Sequence, residues 1–385
     1  MSIDHVLHLV TTHGVGDPRV VRKEARTMAA AGYRVGLVVP HDADGEVDGV
    51  EVHAVPRPAT GKERVLKTTR LVGDRALAEA GPNTVFHIHD SDLLPFGIAQ
   101  ALRGRRVVYD AHEDSPRQAH HQAWLSRPLR HVLSWSYAGL EAIAGRLFEG
   151  IITSTPEIAD RYPTHKTVAI RNFPAIEEFS APSPVPFAKR EPVVAYIGAV
   201  TEARGVREMV EAVGELKDLG ARLHLGGSFF PASLRSEIEG APGVVVHGYL
   251  GRKDVVAVLG SARAGLVLLH PTPQYTTAYP TKLFEYMAAG LPVVASDFPV
   301  IRSFVDGYDC AVLVDPLDVR AVRSAIRDLI SDPERAEAMG RRGRDLVLAH
   351  YTWASEASRL LAFYAALAEG DPAPADAARI PAAKL

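Results

Sequence analysis

The 385-residue chain is long enough for two ordinary domains and a short tail. With 23% charged residues and a formal net charge of −3, it offers no whole-molecule attraction to nucleic acid or to an anionic membrane. Its single cysteine, Cys310, excludes an intrachain disulfide and any multi-thiolate metal site, and no apolar run or leader-like start marks a membrane span or signal peptide. The expected location is the cytoplasm, with peripheral attachment to the inner face of the membrane left open; the oligomeric state is unreadable.

The elements follow one alternating pattern. Val6–Val10, Val35–Val39, Thr84–Ile88, Arg106–Tyr109 and Ile151–Ser154 read as strands, with helical stretches such as Pro18–Ala31 and Ser134–Phe148 between them. Asp17 can cap the first helix, Pro18 suits its first turn, and Gly32 suits the position past its end. From Asn172 to Pro192 the prolines interrupt the pattern and mark a linker. Strands resume at Val193–Ile197, Ala221–Leu225, Val244–His247, Gly265–Leu269 and Pro292–Ala295, with helices at Gly205–Leu219, Asp254–Ser261 and Thr281–Ala289.

Strands alternating with helices predict parallel sheets covered on both faces. The fold class is therefore α/β, with two doubly wound, Rossmann-like domains facing a cleft. The predicted boundaries are 1–175 for the first domain, 176–191 for a linker, 192–350 for the second domain, 351–369 for a last helix and 370–385 for a disordered tail rich in Ala and Pro. In such sheets ligands bind beyond the C-terminal strand ends, so the loops there are the ones to search.

The segment Tyr279-Pro-Thr-Lys-Leu-Phe-Glu-Tyr-Met-Ala-Ala-Gly-Leu-Pro-Val-Val-Ala-Ser296 reads as a loop, a helix and a buried strand. The helix start offers free N–H groups and partial positive charge, so Lys282, Leu283 and Phe284 can face a pyrophosphate. Glu285, one turn in, can accept hydrogen bonds from both hydroxyls of a ribose. An amphipathic helix with solvated Glu and Lys fits the same composition. In Val193-Val-Ala-Tyr-Ile-Gly-Ala-Val-Thr-Glu-Ala-Arg-Gly205, Gly198 permits close approach of a phosphate and Arg204 can pair with its oxygens. A surface arginine at a helix start is the plainer reading of Arg204.

The Tyr279–Ser296 segment resembles the C-terminal signature of the retaining GT-B glycosyltransferases of glycosyltransferase family 4. That family commonly carries two glutamates, and Glu285 matches the second, which binds the nucleotide ribose. The first falls on Thr277, a departure that leaves the backbone or hydroxyls of Thr276, Thr277 and Ala278 to meet the donor sugar. By the same resemblance Arg204 stands where a lysine usually neutralises the diphosphate leaving group, and Ala199 stands where an arginine is common. Lys282 can supply the missing charge. Gly227 in Leu225-Gly-Gly-Ser228 matches the glycine loop on the nucleotide side, and Tyr249 in His247-Gly-Tyr-Leu250 lies in the loop whose backbone meets the base.

In the first half, Val107-Val-Tyr-Asp-Ala-His-Glu113 ends a buried strand in polar residues. His112 matches the family's histidine near the transferred sugar; Asp110 and Glu113 would orient it or meet the acceptor. Asp90 also ends a strand. His87 and His89 share one strand face, a spacing a metal could use, but no third ligand is evident and zinc is not expected. In the loop His13-Gly-Val-Gly-Asp-Pro-Arg19, Gly14, Gly16 and Arg19 are the residues expected to face donor and acceptor. Arg19 equally suits pairing with Asp17 or another acid. The loop lacks the full dinucleotide-binding glycine pattern, which argues against a Rossmann oxidoreductase.

The resemblance implies transfer of a sugar from a nucleoside diphosphate donor to a hydroxyl acceptor with retained anomeric configuration, with no metal or other cofactor. His112, Arg204 and Lys282 would carry the chemistry. A non-catalytic sugar-nucleotide-binding protein and a sugar-nucleotide epimerase are the alternatives. Arg103, Arg105, Arg106, Arg127, Arg130 and Arg146, with Trp124, Leu125, Leu129, Val132, Leu133 and Trp135 nearby, would suit a peripheral membrane dock. A solvated helix over a core fits these residues as well.

Overall fold

A computed structural model describes residues 2–112, 115–116, 126–180 and 185–374. They divide into two compact units. Phe173–Trp353 make one; the described residues up to Asn172 and from Ala354 on make the other. The division falls inside the proline-rich stretch, which holds only the short 3₁₀ turns Ile176–Phe179 and Phe187–Lys189 among its described residues.

Among the described residues the N-terminal unit has eight strands: β1 (His5–Leu9), β2 (Arg34–Pro40), β3 (Gly45–Val47), β4 (Val50–Val55), β5 (Thr84–Ile88), β6 (Arg106–Ala111), β7 (Gly150–Thr153) and β8 (Thr167–Ala169). Their order is β3-β4-β2-β1-β5-β6-β7-β8, parallel throughout except for the β3–β4 hairpin. β1 and β5 are buried along their whole length, as expected of parallel strands covered on both faces. The direction of winding reverses between β1 and β5, so the loops leaving these strands open at the topological switch point.

The second unit has six parallel strands among its described residues: β9 (Val193–Ile197), β10 (Arg222–Gly226), β11 (Val244–Gly248), β12 (Ala264–Val267), β13 (Val293–Ser296) and β14 (Ala311–Val314), in the order β11-β10-β9-β12-β13-β14. Its switch point lies between β9 and β12. The helix Thr281–Ala288 follows β12 and is held down by its apolar face: Leu283, Phe284, Tyr286, Met287 and Ala288 are all buried. Tyr286 fits over Gly265, where any Cβ would overlap its ring, and its hydroxyl accepts the Ile197 N–H at 2.8 Å. That bond ties the helix to the end of β9.

The last helix, Trp353–Glu369, belongs from Ala354 on to the N-terminal unit. Glu356 accepts the Arg171 N–H at 2.8 Å, and the Phe363 ring occupies the space that the absent side chain of Gly150 leaves. Of the stretch 370–385 expected to be disordered, residues 370–374 are described, and the Ala373 N–H donates to the His165 carbonyl at 2.8 Å. Residues 375–385 lie outside the described ones. No helix among the described residues is long and apolar enough to cross a membrane.

Candidate functional site

In the N-terminal unit the loop after β1 is organised by Asp17. Its Oδ1 accepts the N–H groups of Arg19 and Val20, each at 2.8 Å, and its Oδ2 lies 2.8 Å from His13 Nδ1. Burial works to raise the Asp17 pKa, but the His13 hydrogen bond and charge and the two backbone donors outweigh it and bring it down to about 2. The capping carboxylate is thus ionised and orients the His13 ring.

His112, just past β6, is oriented the same way: its Nδ1 lies 3.2 Å from the Asp110 carbonyl oxygen and 3.4 Å from Asp110 Oδ2. The two imidazoles meet at their Nε2 atoms, 3.2 Å apart. A hydrogen bond at that distance needs a proton on one of the two Nε2 atoms. The pair therefore presents a hydrogen-bonding edge that a sugar hydroxyl can join.

Asp110 is fully buried. Arg19 grips it with Nε to Oδ2 at 3.0 Å and Nη2 to Oδ1 at 2.9 Å, and sends Nη1 to the Ile170 carbonyl at 2.8 Å. Burial would raise the Asp110 pKa; the Arg19 charge and His112 reverse this and hold it well below the usual carboxylate range. Arg19, expected to face the ligands, is itself buried, and its side-chain hydrogen bonds go to Asp110 and the Ile170 carbonyl. It acts on the site through Asp110. Asp90 accepts the N–H groups of Thr11 at 2.6 Å and Thr12 at 3.2 Å, with its other oxygen 3.9 Å from His13 Nε2. Gly14 and Gly16 have open space where a Cβ would stand, so packing does not demand glycine there and the loop leaves room for a ligand.

Several residues of this site were not expected from the sequence. Arg64 donates to the Thr12 hydroxyl at 2.6 Å and lies 2.9 Å from Asp92, which also accepts from the Tyr137 hydroxyl at 3.3 Å. His13 had a local signal, standing four residues before the Asp17 cap. Arg64 and Tyr137 had none, because only the tertiary fold brings their elements to Asp92. Glu113 lies outside the described residues, as do Trp124 and Leu125.

In the second unit the loops after β9 and β12 converge. Gly198 and Gly227 have φ of 149° and 133°, on the side that favours glycine. A Cβ on Gly227 would run into the Gly198 carbonyl, and one on Gly198 would run into the end of the Lys282 side chain. The Lys282 amine is thus laid directly over the Gly198 backbone. Burial lowers its pKa; Glu285 works to raise it, and Arg204 and Arg252 lower it further. Arg204 precedes Gly205, whose φ is 73°, and donates from Nε to the Tyr275 hydroxyl at 3.2 Å.

Glu285 is half-buried and pairs with Arg252 at 3.0 Å; Arg252 also donates from Nε to Glu178 at 2.6 Å and covers the Phe179 ring. The sequence reading missed Arg252, which only the packing of the helix Arg252–Ser261 brings to Glu285. At the helix start, the Leu283 N–H is taken by the Pro280 carbonyl at 2.9 Å, which corrects the expectation that it is free for phosphate. The side chains of Leu283 and Phe284 are core residues, with Phe284 packed among Phe173, Phe304 and Tyr351. Thr277 is exposed, and the side chain of Tyr249 is 86% exposed.

The third residue of ligand type that the spacing of His87 and His89 did not reveal comes from the fold. β1 lies beside β5 with His8 opposite His87, and Glu24 comes down from the first helical segment, so the two histidines do have neighbours of ligand type. On the helix Arg127–Leu147 the side chains of Leu129, Val132 and Trp135 are exposed, the last to 77%, whereas Ser134, Glu141, Ala144 and Gly145 are buried.

Two Rossmann-like units, each with its loops gathered at a switch point, are the parts of a GT-B architecture, and the family matches make the chain a glycosyltransferase that draws on a nucleotide-sugar donor. The profile of "Glycosyl transferase 4-like domain" matches residues 16–172 and that of "Glycosyl transferases group 1" matches residues 191–332. The chain belongs to the group 1 glycosyltransferases. It is 24% identical to the MMP alpha-(1->4)-mannosyltransferase of Mycolicibacterium hassiacum, over 92% of this chain and 95% of that one. It is 23% identical to the glycogen synthase of Mycobacterium tuberculosis, over 66% of this chain and 62% of that one. Among solved structures it is similar to a sucrose-phosphate synthase from Thermosynechococcus elongatus (TM-score 0.72, 20% identity, 95% of this chain and 99% of that one). It is also similar to HepE of Anabaena in complex with UDP and glucose (TM-score 0.68, 14% identity, 93% and 98%). These structural likenesses show the fold.

Proposed function

We propose that the chain transfers a sugar from a nucleoside diphosphate donor to a hydroxyl acceptor with retention of anomeric configuration, and that it binds the diphosphate without a metal ion. The observation that carries this reading is the position of Lys282 over Gly198 within reach of the charges of Arg204, Arg252 and Glu285. A diphosphate beside that backbone would meet two cations, Lys282 and Arg204, where negative charge develops as the donor bond breaks. Glu285 would take the ribose hydroxyls with one oxygen while Arg252 keeps the other. An anion next to this buried amine favours its protonated form, so diphosphate binding and the charge on Lys282 reinforce one another.

In the N-terminal unit the His13–His112 pair would exchange the hydrogen bond between its Nε2 atoms for one to a hydroxyl of the transferred sugar, and Asp90 and the Gly14–Gly16 loop would line the space beside it. Retention rests on the family resemblance; in that chemistry the leaving phosphate takes the acceptor proton, so no side chain is assigned as general base. For the acceptor, the exposed Leu129, Val132 and Trp135 next to Arg127 and Arg130 support contact with a lipid surface. Sedimentation with anionic vesicles at low and high salt tests that part, and absence of binding at both removes it. The donor site is tested by calorimetric titration with UDP, GDP, ADP and dTDP in the presence of EDTA. Tight binding of one of them supports the reading, and binding of none overturns it.

A further inference from the structure

His8 and His87 stand opposite one another on adjacent strands, His89 lies two residues on along the same strand face, and Glu24 covers them from the first helical segment. His8, Glu24 and His87 have no exposed surface and His89 is 3% exposed. One potential ligand atom from each of the four lies within 4.8 Å of those from the others. We propose that these four residues form a binding site for a zinc-class divalent cation, a site separate from the donor-binding residues of the second unit.

The unfilled hydrogen-bonding capacity supports this. His8 Nε2, His87 Nε2 and Glu24 Oε2 are buried and take part in no hydrogen bond, while Glu24 Oε1 is paired with Arg19 Nε at 3.0 Å. Three such atoms in one place are far from the rule in a folded interior. His87 Nε2 and Glu24 Oε2 are 3.8 Å apart, too far to bond to each other. Two ligands of a tetrahedral ion, bound at ~2.0–2.2 Å, stand roughly 3.3–3.6 Å apart, so small side-chain rotations close the gap.

The outward nitrogens are already fixed as they are in metal centres. His87 Nδ1 is 2.9 Å from the Tyr364 hydroxyl, and His89 Nδ1 is 3.2 Å from Asp110 Oδ2. A ligating histidine usually has its second nitrogen held by a hydroxyl, carbonyl or carboxylate in this way, which fixes the tautomer and turns the other nitrogen inward. His89 Nε2 is 2.8 Å from His8 Nδ1, a hydrogen bond that a cation taking His89 Nε2 would replace. Three imidazoles and one carboxylate form a borderline donor set that suits Zn²⁺ and its neighbours better than Mg²⁺ or Ca²⁺.

The test uses the full chain with any affinity tag removed. Metal content is measured by plasma mass spectrometry after desalting. The protein is then stripped with a strong chelator and titrated with Co²⁺, reading visible absorption and the melting temperature. The expected result is one equivalent of a zinc-class ion as purified, and, after stripping, a saturable tetrahedral Co²⁺ spectrum at one equivalent with a rise in melting temperature. His87→Gln and Glu24→Gln should each abolish the spectrum. Metal well below one equivalent together with no Co²⁺ spectrum in the wild type overturns the proposal, a result that does not depend on any variant folding. A Co²⁺ spectrum undiminished in both variants, with their circular dichroism that of the wild type, overturns it equally. A cluster closed by a proton or a buried water gives the first of these results.

Discussion

His13 and His112 point their Nε2 atoms at each other across 3.2 Å, and each ring is held from behind by a carboxylate, Asp17 for the one and Asp110 for the other. This edge can act on a sugar hydroxyl only if both rings keep their orientation. The account predicts that His112→Ala lowers turnover by about 10²–10³-fold, the usual cost of removing one preorganised donor, and weakens nucleotide binding only a few-fold. Nucleoside diphosphate release and calorimetry measure the two effects. Equal losses would make His112 a group that binds ground state and transition state alike.

The Arg19–Asp110 pair sits one layer deeper. Removing the arginine leaves the buried Asp110 carboxylate without its cation, so Arg19→Met should cost about 3–5 kcal/mol in denaturant unfolding, and Asp110→Asn less, because Glu24 still faces the guanidinium. A single variant as stable as the wild type would show that the pair is not a support of the site.

Asp17 gives a pH signature. Its pKa of about 2 in the folded chain lies below its ordinary value of 3.8, so the unfolded state binds more protons in between. Its contribution, on the order of 2 kcal/mol, is present above the ordinary value and is lost as pH falls through that range towards 2. Stability measured against pH should therefore show a shallower acid limb in Asp17→Asn than in the wild type. Identical limbs would contradict the assignment.

Lys282 predicts a dependence at the other end of the scale. Its pKa is lowered, chiefly by burial, so on raising the pH it loses its charge before an ordinary lysine would. Nucleoside diphosphate affinity should then fall as pH climbs through that lowered value. Lys282→Met should bind about 10–100-fold more weakly at neutral pH, the equivalent of one charge-assisted hydrogen bond, and should lose the alkaline slope. Calorimetry at several pH values checks both.

Much of this architecture is legible in the sequence wherever apolar runs and punctuation coincide. Val193–Ile197 is the strand that its run of β-branched and apolar residues and the following Gly198 indicate, and Thr281–Ala288 starts where its loop ends. β3, β4, β8 and β14 escaped: Val50–Val55 is broken by Glu51 and His53, and the other three are runs of three or four residues, too short to separate from their flanks. The first helix was read as a single stretch from Pro18, whereas its start is a wider π-type turn over Val20–Ala25 before the α-helix Arg26–Ala30. What sequence spacing cannot supply is strand order. His8 becomes the neighbour of His87 only because β1 pairs with β5, and Arg252 meets Glu285 only because the fold of the second unit brings the start of one helix to the other. For the same reason Arg19 reads as a loop residue facing ligand until Asp110 is placed beneath it.

The central claim is that the second unit holds a nucleoside diphosphate through Lys282, Arg204 and Glu285. Its most direct test is calorimetric titration of the wild type and of Glu285→Ala with UDP, GDP, ADP and dTDP in EDTA, with circular dichroism confirming the fold of both. The account predicts one preferred nucleotide for the wild type and at least about tenfold weaker binding for the variant, from the loss of the ribose hydrogen bonds. A wild type that binds none of the four, or a folded variant that binds as the wild type does, would contradict it.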